Sequence, residues 1–193
     1  MTTANKITIL RILLIPVFIV QVLYYVESGD EFNRLLAILA FTVAAVCDGV
    51  DGYIARRFNQ RSELGAVLDP LADKLLLVSG IVLLSLNNAP HLARLPLWLT
   101  ATVLSRDVVI LLGMVVIQHT VGKVQVRARL LGKVATVLQM VTVLWLLLKW
   151  NSTWAQAWIL SAAILTGVSG LLYVNDGVRQ LSASPSSAPA AKQ

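Results

Sequence analysis

The sequence predicts an all-α integral membrane protein with six transmembrane helices and both the N- and C-termini cytoplasmic. Three observations carry that expectation. Apolar residues make up 57% of the 193 residues and charged ones only 13%, with a mean hydropathy of +0.76, a balance at odds with a water-soluble domain. Apolar runs of the roughly 17 to 25 residues needed to cross a bilayer lie at Ile7 to Val26, Phe32 to Gly49, Leu68 to Leu86, Leu95 to Ile117, Leu130 to Leu148 and Trp154 to Val174. With six spans, one side receives Lys6, Arg11, Arg56, Arg57, Arg61, Lys123, Arg127, Arg129, Lys133, Arg179 and Lys192, and the other only Arg34, Arg94 and Lys149. That bias of eleven against three puts both termini in the cytoplasm. Lys74 and Arg106 fall inside spans and are left out of the sum.

The first helix, about 7–26, is too long for the apolar core of a secretory signal, lacks a small-residue cleavage site and carries Arg11, so it is expected to stay in the mature chain. The acidic turn "ESGDEFNR" joins it to a second helix, about 32–56, and is expected to do no more than connect. The short linker "RFNQRSE" makes the third helix, about 65–86, an antiparallel neighbour of the second, and Pro70 is expected to bend it. His91, in the loop "LNNAPHLARLP", reads as a solvated histidine. The fourth helix, about 95–118, carries Arg106 and Asp107, which either neutralise each other or other buried polar groups, or leave Arg106 to serve a site.

The linker "VGKVQVRARLLGK" enters the fifth helix, about 129–149, with near-alternating basic residues that suit anionic lipid head groups, an anion pocket, or both. The sixth helix covers about 154–174. Residues 1–178 form one membrane domain, and 179–193, ending in "SASPSSAPAAKQ", read as a disordered cytoplasmic tail. Cys47, the single cysteine, reads as a small apolar filler. The net charge of +6 does not point to nucleic acid, because no soluble basic domain exists to hold it; membrane lipids are the expected surroundings.

One stretch breaks the apolar pattern. "CDGVDGYIARRFNQRSELGAVLDPLADK", residues 47–74, holds four aspartates at the cytoplasmic ends of the second and third helices. An aspartate at the centre of a spanning helix costs roughly 2.5–3.5 kcal/mol on insertion scales, so such residues point to function. At about 100° per residue, Asp48, Asp51, Gly52, Ala55 and Arg56 share an arc of roughly 140°. Gly65, Asp69 and Asp73 share a narrow stripe on the next helix, so the two stripes can face each other. Converging carboxylates repel unless positive charge sits between them. All-oxygen donors without His or Cys suit Mg²⁺, Mn²⁺ or Ca²⁺, and two such ions can clamp the attacking and leaving oxygens of a phosphoryl transfer. The small residues leave room for a ligand or serve close helix packing. Arg56 either pairs with the carboxylates or binds a substrate phosphate.

These residues fit D-x2-D-G-x2-A-R-x8-G-x3-D-x3-D, with Asp48, Asp51, Gly52, Ala55, Arg56, Gly65, Asp69 and Asp73 at its eight fixed positions. The pattern resembles the signature of the CDP-alcohol phosphatidyltransferase family. The resemblance implies an integral membrane enzyme that moves a phosphatidyl group from CDP-diacylglycerol to an alcohol and releases CMP. It implies that Asp48, Asp51, Asp69 and Asp73 hold two Mg²⁺ or Mn²⁺ ions, that Asp73 is also the general base, and that Gly52, Ala55, Arg56 and Gly65 shape the CDP pocket.

"NKITILRILLIP", with Asn5, Thr8, Arg11 and Pro16, "LDPLADK", "SRDVVILLG" and "GKVATVLQM" are similar to the phosphatidylglycerophosphate synthase and cardiolipin synthase branch. Asn5, Thr8 and Arg11 recur every third residue and can share a helix edge. The branch implies glycerol 3-phosphate as acceptor, with phosphatidylglycerol, giving cardiolipin, as the alternative. Arg106, Arg127, Arg129 and Lys133 are the candidates for binding the acceptor. Ala135 departs from the pattern, standing where phosphatidylglycerophosphate synthases commonly carry a second basic residue. The resemblance also implies a homodimer in the cell (inner) membrane, or the mitochondrial inner membrane in a eukaryote. A divalent-cation transporter is the reading from another class, but its acidic residues belong near the midplane of repeated halves. A non-catalytic scaffold has no need of four membrane aspartates.

Overall fold

In lipid the backbone must satisfy its own hydrogen bonds, so long apolar runs become helices. The computed structural model describes residues 3–57, 63–121, 130–150 and 152–182, with side-chain surroundings over 6–50, 68–113, 115–116, 130–150 and 154–178. Among these residues there are six helices and no strand: α1 (Thr3–Ser28), α2 (Glu31–Arg57), α3 (Glu63–Ser85), α4 (Leu97–Val121), α5 (Leu130–Leu147) and α6 (Ser152–Ser182). Among the described residues four stretches, Lys6–Ser28, Glu31–Val50, Leu130–Leu147 and Trp154–Val178, are long and apolar enough to cross a membrane. The α3 helix carries Asp69, Asp73 and Lys74 within its apolar length and remains one helix through Pro70. The α6 helix continues over 179–182, because hydropathy marks where a span ends and not where the helix does.

Successive helices run in alternate directions. Near one end, Arg11 of α1 meets Asp48 of α2; near the other, Tyr25 of α1 meets Glu31 of α2. The α1–α2 pairing is the most extensive, α1 also packs on α3, and α6 takes α4 and α5 against it. Among the described residues, direct contact between α2 and α3 is sparse. Phe18 and Phe41 hold α1 to α2 with ring centroids 5.2 Å apart. Gly80 lets α3 approach α2 and α5, since a Cβ there would lie 3.1 Å from Val143 and 3.3 Å from Phe41. Leu13, Leu39, Leu111, Ile164 and Leu171 face outward, an apolar exterior suited to lipid.

The end away from the aspartates is tied by polar contacts. Gly29 ends α1 with φ 71° and donates to Tyr25 O at 2.8 Å. Lys149, with φ 54°, ends α5 in the same left-handed way and reaches Glu31 Oε1 at 3.1 Å. Arg34 donates to Leu147 O at 3.0 Å, satisfying one of the last carbonyls of α5. His91 is half-buried here, its ring 5.8 Å from that of Tyr25, so it packs the loop against α1. All five tryptophans, Trp98, Trp145, Trp150, Trp154 and Trp158, lie toward this end, as an interfacial aromatic belt requires.

A Cβ at Gly29 would meet His91 Cε1 at 2.5 Å, in a backbone conformation that L side chains avoid. Gly29→Ala is therefore expected to destabilise the fold by about 1 kcal/mol or more. Thermal unfolding in detergent checks this, and an unchanged midpoint overturns it.

Candidate active site

The site begins on α1. Thr8 and Arg11, three residues apart, share an inward edge, and Arg11 is the bulkiest fully buried side chain. A guanidinium inside an apolar bundle is tolerable only with close anionic and carbonyl partners. Arg11 forms an ion pair with Asp48 of α2, donates to the backbone oxygen of Asp69 at 3.2 Å, and lies 3.9 Å from the Asp69 carboxylate on α3. Thr8 donates to Asp69 Oδ1 at 2.6 Å. The helix α1 thus pins together two aspartate helices that touch each other little among the described residues, so Asp48 and Asp69 meet through a third element.

Asp48 and Asp69 side chains are each 41% exposed, which leaves lone pairs of both open beside the buried arginine. Asp73, one turn beyond Asp69 on α3, is partly buried. Asp51, Gly52, Ala55 and Arg56 lie in α2 and Gly65 in α3, but their side-chain surroundings fall outside the described residues, as Arg127 and Arg129 do entirely. Among the described residues no three acidic, His or Cys side chains form a ready metal cage. The donor chemistry of Asp48 and Asp69 still fits a hard divalent ion: carboxylate oxygens from two helices, drawn to one point and partly open.

A second polar cluster joins the other helices. Asp107 of α4 accepts from Lys74 of α3 at 2.6 Å and from Arg106 at 2.8 Å, both on Oδ1. Arg106 also donates to Ser169 Oγ at 3.3 Å and lies 5.8 Å from the ring centre of Tyr173. Glycines on α5 and α6 make room for it: a Cβ at Gly132 would lie 3.1 Å from an Arg106 nitrogen, and one at Gly170 3.2 Å from its Cγ. Lys133, next to Gly132, is exposed. Ala135 is fully buried on the same α5 face as Gly132, so a basic residue there would point into this interior.

The structure thus brings Asp48 and Asp69 together and seats Arg106 by pairing it with Asp107. Thr8, Arg11, Lys74 and Asp107 were not among the sequence-derived site residues. The available signals were the three-residue polar spacing in α1 and two cations placed inside spans.

A model of the family described as CDP-alcohol phosphatidyltransferase matches residues 1–169. The CDP-diacylglycerol--glycerol-3-phosphate 3-phosphatidyltransferase of Escherichia coli (strain K12) is 37% identical over 172 residues, covering 87% of this chain and 90% of that protein. Proteins of the same description from Shigella boydii serotype 4 (strain Sb227) and Shigella sonnei (strain Ss046) align with the same identity and coverage. The family match takes in α1 to α5 and α6 as far as residue 169, and the chain belongs to the CDP-alcohol phosphatidyltransferase family.

Proposed function

We propose that this membrane transferase moves the phosphatidyl group of CDP-diacylglycerol to glycerol 3-phosphate, giving phosphatidylglycerophosphate and CMP. The observation that carries the site is the convergence of Asp48 and Asp69 on buried Arg11. The acceptor follows the description of the Escherichia coli relative. Asp73 takes the proton of the acceptor hydroxyl, and that oxygen forms a bond to the lipid-side phosphorus as the bond to the CMP oxygen breaks. Asp48, Asp51, Asp69 and Asp73 would hold two Mg²⁺ or Mn²⁺ ions, which supply positive charge for the pyrophosphate and the leaving CMP. Gly52, Ala55, Arg56 and Gly65 line the CDP pocket, and Arg106, Arg127, Arg129 and Lys133 serve the acceptor phosphate. The chain works as a homodimer of six-span subunits in the bacterial inner membrane, with the aspartate end and both termini in the cytoplasm.

Arg11 and Thr8 hold the two carboxylates in register, a task that helix contact alone does not perform. The cation-transporter reading is disfavoured by the placement of Asp48 and Asp69 beside one end of the bundle. Purified protein supplied with CDP-diacylglycerol, Mg²⁺ or Mn²⁺, and each acceptor separately tests the proposal. Phosphatidylglycerophosphate and CMP are expected with glycerol 3-phosphate. Cardiolipin formed from phosphatidylglycerol instead would overturn the acceptor, and no CMP release with any alcohol would overturn the reaction.

A further inference from the structure

The two cations that pair with Asp107 are not equivalent. Lys74 and Arg106 share one oxygen of Asp107, yet the Arg106 side chain is 9% exposed and that of Lys74 41%. Both terminal nitrogens of Arg106 are engaged, with Asp107 and with Ser169, and its carbons pack against Gly170. Arg106 is built into the α4–α5–α6 junction. Lys74 has three donors on its ammonium, and its half-open flank leaves some of them for a ligand.

Two further facts converge on Lys74. One carboxylate is in direct contact with two cations, so one positive charge of the trio is left to a further anion, the neighbouring Asp73 or a ligand. Asp107 Oδ2 and Arg106 Nε are buried with no hydrogen-bond partner among the described residues, polar atoms of the kind that ordered water or a ligand ordinarily satisfies. Lys74 also directly follows Asp73 on α3. A small acceptor whose hydroxyl meets Asp73 carries its phosphate only a few bonds away, within reach of the next side chain.

We infer that Lys74, held in place by Asp107, is a further acceptor-binding residue that receives the phosphate of the incoming alcohol beside Arg106. The inference rests on the transferase reading above and assigns a role to a residue outside the eight-position signature. Asp107 is the positioning residue: it fixes the ammonium on the α4 side of α3, so that the lysine does not turn toward the carboxylates of the site.

The test is steady-state kinetics on purified full-length protein in detergent with lipid. Lys74→Gln is expected to raise the KM for glycerol 3-phosphate by about 10- to 100-fold, the loss of one hydrogen bond from a charged donor. The KM for CDP-diacylglycerol is expected to move less than about twofold, and turnover at saturating acceptor to fall far less than the acceptor KM rises. Inorganic phosphate, competing with the acceptor, is expected to inhibit Lys74→Gln more weakly than the native protein. Lys74→Arg keeps the charge and the Asp107 pair, and is expected to recover part of the affinity; it also serves as the test if Lys74→Gln does not fold. An acceptor KM within about twofold of native in a folded variant, or equal rises in both KM values, overturns the inference. If native protein uses phosphatidylglycerol and not glycerol 3-phosphate, the acceptor proposal alone falls. The Lys74 comparison is then made on phosphatidylglycerol, whose phosphodiester presents the same anionic oxygens.

Discussion

Asp73→Asn is expected to stop turnover while CDP-diacylglycerol still binds. Asparagine has nearly the shape of aspartate but cannot take a proton from the acceptor hydroxyl. Loss of a positioned general base removes roughly 10²- to 10⁴-fold in rate, so CMP release is expected to drop to near background. Binding of labelled CDP-diacylglycerol in the presence of Mn²⁺ is expected to stay within a few-fold of native, because Asp48 still meets Asp69 through Arg11. Asp48→Asn provides the contrast, since it loses a carboxylate of the Arg11 pair and is expected to weaken metal-dependent nucleotide binding as well. Near-native CMP release by Asp73→Asn would remove Asp73 from the role of base.

The second large effect concerns Arg11. Removing one member of a fully buried ion pair costs about 3–5 kcal/mol. Because Asp48 and Asp69 are each 41% exposed, water relieves part of that penalty, and Arg11→Met is expected to cost about 2 kcal/mol. For a chain of this size that corresponds to a fall of about 4–8 °C in the unfolding midpoint. Activity is expected to fall further than stability, since Asp48 and Asp69 lose the side chain that sets their spacing. Arg11→Lys is expected to recover stability better than activity: one ammonium replaces a fork that reaches Asp48 with one nitrogen and Asp69 with the other. Thermal unfolding and CMP release, measured on the same preparations, check both variants. A native midpoint and native turnover in Arg11→Met would mean that the pair organises nothing.

The helices were legible because the lipid phase simplifies the code: an apolar run of sufficient length has few structures open to it. The expected third helix covers about 65–86, and α3 runs from Glu63 to Ser85 with four charges, Glu63, Asp69, Asp73 and Lys74, along it. Sequence periodicity put Asp48 and Asp51 on one face and Asp69 and Asp73 on another, but it could not say how the faces meet. That depends on packing between distant segments, and α1 enters between the two. His91 and Gly29 teach the same lesson. Nothing local marks a loop histidine as the side chain that a glycine 62 positions earlier must accommodate. Lys74 was hidden for another reason: beside the four signature aspartates it reads as one more charge, until its partner on α4 is known.

The burial of Arg11 bears on how the chain enters a bilayer in the first place. Before α2 has been made, α1 presents a charge problem of its own, an arginine within its membrane length, and translocation scales put such a charge at up to about +2.5 to +3.5 kcal/mol, the value at mid-span. The partner that most nearly neutralises it lies on α2, 37 residues later in the chain and joined through a tight turn at Gly29. The two helices can thus go in as a paired hairpin, with Arg11 and Asp48 entering the lipid as a neutral couple. The residue that later sets the spacing of the site would then act earlier as a passenger's escort, making the first two helices a single unit of insertion.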